Sequence, residues 1–220
     1  MKRLLAAITA VALIWSGHWA WQAWSLHGAV RDWAARTDAD PARAAQFADV
    51  TVRGFPNRLD VTLTAPRLAD TDAGLGWQAD WLQLFRLVYR PGHWIVVLPP
   101  EQTLTTADGP LRIEGDGLRA SLVTDGEMLE RLNAEAAVLN LDGPDGALAL
   151  HDLRMALHRR GPGAGRYRLA LTADGVAGPG TAALDSGALQ ADITLTTDAP
   201  LAANPLNRAV PLLTRLEINR

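Results

Sequence analysis

Arg58-Leu59-Asp60-Val61-Thr62-Leu63-Thr64-Ala65 is the stretch whose pattern settles the class of fold. Apolar and polar residues alternate through it. Leu59, Val61, Leu63 and Ala65 are expected to point one way, and Arg58, Asp60, Thr62 and Thr64 the other. Successive side chains of a strand project to opposite faces, so the stretch reads as a half-buried antiparallel strand. The same grammar recurs downstream, in 79–90, 93–98, 102–106, 111–114, 118–124, 134–141, 147–158, 166–173, 187–197 and from Leu216 onward. Turn signals stand between these runs: Arg90-Pro91-Gly92, Asp108-Gly109, Gly143-Pro144-Asp145-Gly146, Gly161-Pro162-Gly163 and Gly178-Pro179-Gly180. Met128 to Arg131 reads as one helical turn. Short polar turns between many strands predict a mainly β fold, an extended or curved antiparallel sheet. A weak echo supports growth by similar hairpins: Asp108-Gly109-Pro110-Leu111 precedes Leu118-Arg119-Ala120-Ser121-Leu122, and Asp145-Gly146-Ala147-Leu148 precedes Leu153-Arg154-Met155-Ala156-Leu157.

Upstream the period changes. Lys2 and Arg3 precede a run from Leu4 to Trp24 with no Asp, Glu, Lys or Arg. As a helix this run spans roughly 31 Å, which matches the ~30 Å hydrocarbon core of a bilayer. A cleaved signal peptide shares the basic start, but cutting after Ala20 puts His18 at −3, and cutting after Gly17 puts Trp15 there. Trp15, Trp19, Trp21 and Trp24 cluster at the far end, where indoles favour the headgroup zone. An uncleaved anchor over 1–24 is the favoured reading, with the N-terminus cytoplasmic and the body periplasmic in a bacterial inner membrane. His18 and Gln22 share a helical face and read as interfacial residues. Leu26, Val30 and Trp33 continue the helical spacing, so 25–48 is expected to be a stalk helix and linker. Asp40-Pro41 closes the stalk, a short helix over 42–47 follows, and the β-rich domain runs from 49 to 220.

Composition narrows the function. The formal net charge is −3, and without Lys2 and Arg3 the remainder is at −5. A mildly acidic body excludes the basic footprint of a nucleic-acid binder. Cys is absent, so no disulfide or thiolate site exists. The five His residues, at 18, 27, 93, 151 and 158, fall outside metal-ligand spacing. The chain has no G-x-S-x-G elbow, phosphate loop or H-E-x-x-H. No catalytic residue, metal site or cofactor is assigned, and the expectation is a protein that is not an enzyme.

Two clusters stand out. In Val52-Arg53-Gly54-Phe55-Pro56-Asn57-Arg58, Gly54 and Pro56 favour a bend between strands, with Phe55 capping the core. A sheet corner is the favoured reading; the alternative makes Arg53 and Arg58 an anion or headgroup contact. In the second cluster, Trp81, Phe85 and Tyr89 are expected on one strand face, Leu82, Leu84 and Val88 on the other, with Trp94 following. A strand apolar on both faces is central in a core or lines an apolar groove.

On these clusters, the Trp-containing anchor, the stalk, Leu82 to Pro91, Pro99-Pro100-Glu101-Gln102-Thr103-Leu104 and Leu118-Arg119-Ala120-Ser121-Leu122, the chain resembles domain of unknown function 2125. That family of bacterial envelope proteins is found mostly in alphaproteobacteria. The resemblance covers nearly the whole chain, implies no activity and transfers no site residue. It implies relatives that run on past residue 220, so the chain is expected to be a short member. Looser similarity to AsmA-like envelope proteins implies a curved sheet that carries lipid on an apolar face. The expected partners are therefore the inner membrane through residues 4–24, lipid on an apolar groove at Trp81, Phe85, Tyr89 and Trp94, or another envelope protein docked on the sheet.

Overall fold

The structure, a computed structural model, describes residues 1–161, 165–178, 187–203 and 213–219. The turns expected at Gly161-Pro162-Gly163 and Gly178-Pro179-Gly180 lie partly outside these residues, as does Arg220. One helix, α1 (Lys2–Asp38), opens the chain. Ala, Leu, Ile and Trp dominate it, and no proline falls inside it. It ends where Ala39 donates to Ala35 O and Pro41, which has no N–H, follows Asp40. The segments expected as anchor and stalk are thus one rod.

Among the described residues, sixteen strand segments form one antiparallel sheet. The first ten are β1 (Arg43–Gln46), β2 (Asp49–Arg53), β3 (Arg58–Thr64), β4 (Arg67–Asp70), β5 (Leu75–Ala79), β6 (Trp81–Leu87), β7 (His93–Val97), β8 (Glu101–Thr106), β9 (Gly109–Asp116) and β10 (Arg119–Asp125). Then come β11 (Met128–Gly143), β12 (Gly146–Arg159), β13 (Gly165–Ala173), β14 (Gly175–Ala177), β15 (Leu189–Thr197) and β16 (Leu213–Ile218).

Many of these segments are halves of one longer strand. Pairing Asp49↔Thr64 in β2·β3 continues as Gln46↔Arg67 in β1·β4, three residues further along both strands. Thr64↔Trp81 likewise continues as Arg67↔Gln78, and Arg119↔Glu135 as Asp116↔Val138. The register survives while the strand direction breaks, so a crease crosses the sheet.

The crease is written into the apolar spacing. Within each half, inward residues recur every two positions. Across the crease they step by three: Phe47 to Val50, Leu63 to Pro66, Ala79 to Leu82, Gly115 to Leu118, Ala136 to Leu139, Leu150 to Leu153 and Ala173 to Val176. Two consecutive residues then face outward. Ala48 and Asp49, Thr64 and Ala65, Asp116 and Gly117, and His151 and Asp152 are all exposed. Left-handed backbone appears on this line at Ala65 (φ 47°), Gly117 (φ 65°) and Asp152 (φ 50°), as a bulge-like bend requires. The apolar residues stay on one side: Phe47 packs against Val50, Val61 and Leu63, and a Cβ on Gly115 would touch Leu118 at 3.5 Å and Leu139 at 3.6 Å.

Several expectations need correction. Ala65 does not share a face with Leu59, Val61 and Leu63, which are 0%, 1% and 5% exposed; it is the exposed crease residue. The expected short helix at 42–47 is strand β1. A run that short cannot nucleate a helix against the ladder offered by β4, and Arg43 is tied to Asp70 at 3.3 Å. The expected turn at Met128–Arg131 is the start of β11, held by Asp125↔Met128 and Thr124↔Leu129 and by Leu129 N–H donating to Leu201 O. The run 79–90 is two strands broken at Asp80, and it ends in a turn at Val88 to Gly92.

Two apolar centres hold the sheet. Leu26 and Val30 of α1 pack on Val50, Val61 and Leu63. At the other end Leu201 lies against Leu129, Leu157 and Tyr167. Each fully buried aliphatic side chain contributes ~1.5–3 kcal/mol.

Candidate functional site

The Val52–Arg58 bend is the tip of hairpin β2–β3, with Arg53 opposite Asp60. Gly54 sits at φ 104°, and a Cβ there would lie 2.9 Å from Arg58 O, so only glycine fits. A cis Phe55–Pro56 bond follows. The carbonyls of this tip receive the helix. Trp15 Nε1 donates to Pro56 O at 3.0 Å and Trp19 Nε1 to Arg58 O at 2.7 Å. The Trp19 ring meets Phe55 edge-on, with centroids 5.5 Å apart. Three residues along the helix, Gln22 Nε2 reaches Val88 O at 3.4 Å and lies 2.7 Å from His18 Nε2.

The bend is therefore a helix dock. Phe55 does not cap the sheet core as expected. It is 57% exposed, because the ring leans on Trp19 rather than inward. Arg58 is engaged by Asp60 at 2.7 Å, so a carboxylate of the chain itself takes the position an anion would occupy, while Arg53 is exposed. Trp15, Trp19 and Gln22 satisfy their polar atoms on the hairpins, whereas Trp21 and Trp24 point away from the sheet and are 61% and 76% exposed.

The four aromatic residues expected to line one groove do not converge. Phe85 pairs with Ile95, so it shares a face with Ile95 and Trp81, while Trp94 projects from the opposite face. Tyr89 lies beyond β6 in the turn and is 62% exposed. The strand ends at Leu87, which removes Tyr89 from the expected alternation. Trp94 instead carries the Arg86 guanidinium 4.9 Å above its ring. Burial lowers the Arg86 pKa from its ordinary value, and its Nε has no hydrogen-bond partner among the described residues.

Trp94 belongs to a larger surface. Directly opposed antiparallel residues share a face. One row runs Val52, Val61, Leu84, Val96, Ala120, Ala134, Met155, Leu171 and Ala191. A second runs Trp94, Leu122, Leu132, Leu157, Leu169, Ile193 and Ile218. The helix covers the first strands of this face, and the segment at Leu201 covers Leu157 and Tyr167. Between these covers Val96, Leu122, Leu132, Met155, Leu169 and Ile193 are only half-buried.

The reverse face is mixed, with Trp81, Phe85 and Ile95 beside charged and amide side chains. Arg119 pairs with Glu135, and a shallow depression of about 560 Å³ forms over the small side chains Ser121, Ala156 and Ala170. Further along, Arg168 and Asn219 both bond Asp192 and hold its carboxyl at about 2. Among the described residues, no three His, Asp or Glu side chains come together as a metal set.

Residues 19–220 match DUF2125, an uncharacterized protein conserved in bacteria. The chain belongs to that family. No curated protein and no solved structure matches it. The DUF2125 match opens at Trp19, inside the docked part of the helix, and takes in the hairpin tips and both rows of the apolar face but not Trp15. Sequence reasoning quoted much of the DUF2125 dock but missed what it holds, because a tip carbonyl leaves no mark in side-chain chemistry. It expected an apolar sheet face but put Trp81 and Phe85 on it, and these project from the side opposite Leu84 and Val96.

Proposed function

We propose that this DUF2125 protein is a non-catalytic component of the bacterial envelope, tethered by α1 to the inner membrane with its sheet outside the cytoplasm. Its work is to hold or pass lipid acyl chains along the apolar face. One observation carries the reading: two apolar rows cross the sheet and, among the described residues, are only half-buried between the helix and Leu201. A contiguous apolar surface of that kind marks an interaction site. Arg86 supports it, as a guanidinium on the same face as Trp94, of the charge that suits a phosphate headgroup. α1 is long and apolar enough to cross a membrane.

The full chain, extracted from membranes in mild detergent and analysed by native mass spectrometry, should retain phospholipid through extensive washing. Lipid-free protein under those conditions would overturn the reading. A second reading has its own observation. β16 is an edge of the sheet among the described residues, with Leu213, Leu216 and Ile218 56%, 52% and 77% exposed. Such an edge suits strand addition by another envelope protein. Photo-crosslinkers at Thr214 and Glu217 would then capture a discrete protein partner in cells, with no lipid adduct on the apolar face.

A further inference from the structure

The helix dock fixes where a bilayer would meet the sheet. From Trp15 to Asp38 the helix runs along the first strands, through Trp15 and Trp19 at the tip, Leu26 and Val30 at the core, and Gln46 Nε2 donating to Asp38 Oδ1 at 3.0 Å. Only Lys2 to Ile14 projects beyond the tip, about 20 Å of helix at ~1.5 Å per residue. A bilayer core needs about 30 Å. The missing third must come from residues 15 to 21, and those residues already carry the hairpin tip. From this we infer that the tips of hairpins β2–β3 and β6–β7 enter the outer headgroup layer of the membrane that α1 spans. This rests on the reading of α1 as a membrane span.

The chemistry of the two ends agrees. The tip loops 53–58 and 88–93 contain Arg53, Arg58 and Arg90 and no acid. They show the membrane side Phe55 at 57% and Tyr89 at 62% exposure, the aromatic-plus-arginine pairing that suits phospholipid headgroups. The loops at the opposite end, 70–74, 107–108 and 142–146, contain Asp70, Asp72, Asp108, Asp142 and Asp145 and no Lys or Arg. The next turn on the tip side, Asp125-Gly126-Glu127, is acidic, so the contact is confined to the two hairpins beside the helix. Trp15, Trp19 and Gln22 fit the same depth, since their polar hydrogens are bonded to protein carbonyls and need no water.

The absence of cysteine makes the test clean. Single cysteines at Ile8, Asn57, Tyr89, Arg90, Asp72 and Asp145 in the full chain take an environment-sensitive fluorophore. The protein is placed in nanodiscs of phosphatidylcholine and phosphatidylglycerol, with headgroup-labelled or chain-brominated quencher lipids. Position 8 should be quenched by brominated chains, and positions 57, 89 and 90 by headgroup quencher, several-fold more than 72 and 145. Asn57 and Arg90 make no dock contact, so a loosened helix does not decide the result. Quenching at 8 with 57, 89 and 90 as unquenched as 72 overturns the inference and leaves the span intact. No quenching at 8 overturns the span and the inference with it.

Discussion

Tyr167 is fully buried, and its hydroxyl serves two backbones. It donates to Leu129 O at 3.1 Å and accepts from Leu201 N–H at 2.9 Å. Tyr167→Phe keeps the ring and strands both partners, so it should cost about 1–3 kcal/mol. Chemical denaturation of the full chain in detergent reads this directly, and a change under a few tenths of a kcal/mol would show that the Leu201 strap carries no weight. Asp192 has a pH signature of a different kind. Its folded carboxyl is held at about 2, by Arg168 first and Asn219 next, below an ordinary value of 3.8. A depressed carboxylate contributes stability that is complete above its unfolded value and is lost as pH falls through the folded one. The denaturation midpoint should therefore fall between pH 4 and pH 2, and Asp192→Asn should flatten that part of the profile.

At the scale of elements, α1 carries a weakness that can be repaired. Gly28 lies in its docked half, and a Cβ there meets nothing within 4 Å. Gly28→Ala should stabilise the protein by about 0.5–1 kcal/mol through helix propensity alone, seen as a raised midpoint and slower hydrogen exchange over the stalk. The crease offers the reverse case. Ala65 holds φ 47°, where a branched side chain is strained. Ala65→Gly should be neutral or stabilising, whereas Ala65→Val should cost more than about 1 kcal/mol. Equal effects would mean the crease is not set by that backbone. These elements also show how far the sequence could be read. Period-two alternation placed the strands because burial enforces it residue by residue. The crease was invisible at Ala65 because alanine is tolerated inside or outside, so one methyl group did not mark the slip in phase. Tyr89 misled for a related reason: a turn that begins one residue early leaves an aromatic side chain in step with a strand it no longer belongs to. The dock at Val52–Arg58 was legible as a bend and illegible as a contact, since its acceptors are main-chain oxygens.

For the whole molecule, what matters is that the two faces of one thin sheet differ in chemistry. Met155 lies in the first apolar row, opposite Ala134 and Leu171. Its neighbour Ala156 projects from the other face, in the floor of the depression with Ser121 and Ala170. The two positions share a strand, both are half-buried, and each is flanked by the same ladder bonds. An aspartate at either one perturbs β12 to a similar degree, so a comparison isolates the face. A carboxylate at 155 would stand where acyl chains are proposed to lie, and an unpaired charge in an apolar contact is strongly disfavoured. Met155→Asp should weaken capture of a fluorescent phospholipid by at least about tenfold, which corresponds to ~1.4 kcal/mol. Ala156→Asp should leave capture within about twofold of the unchanged protein, a few tenths of a kcal/mol. Circular dichroism and denaturation midpoints establish that both variants fold. Equal loss in the two would trace the effect to β12 itself. No loss in either would remove the apolar face from the path of the lipid, and leave the β16 edge seen among the described residues as the better account of what this sheet is for.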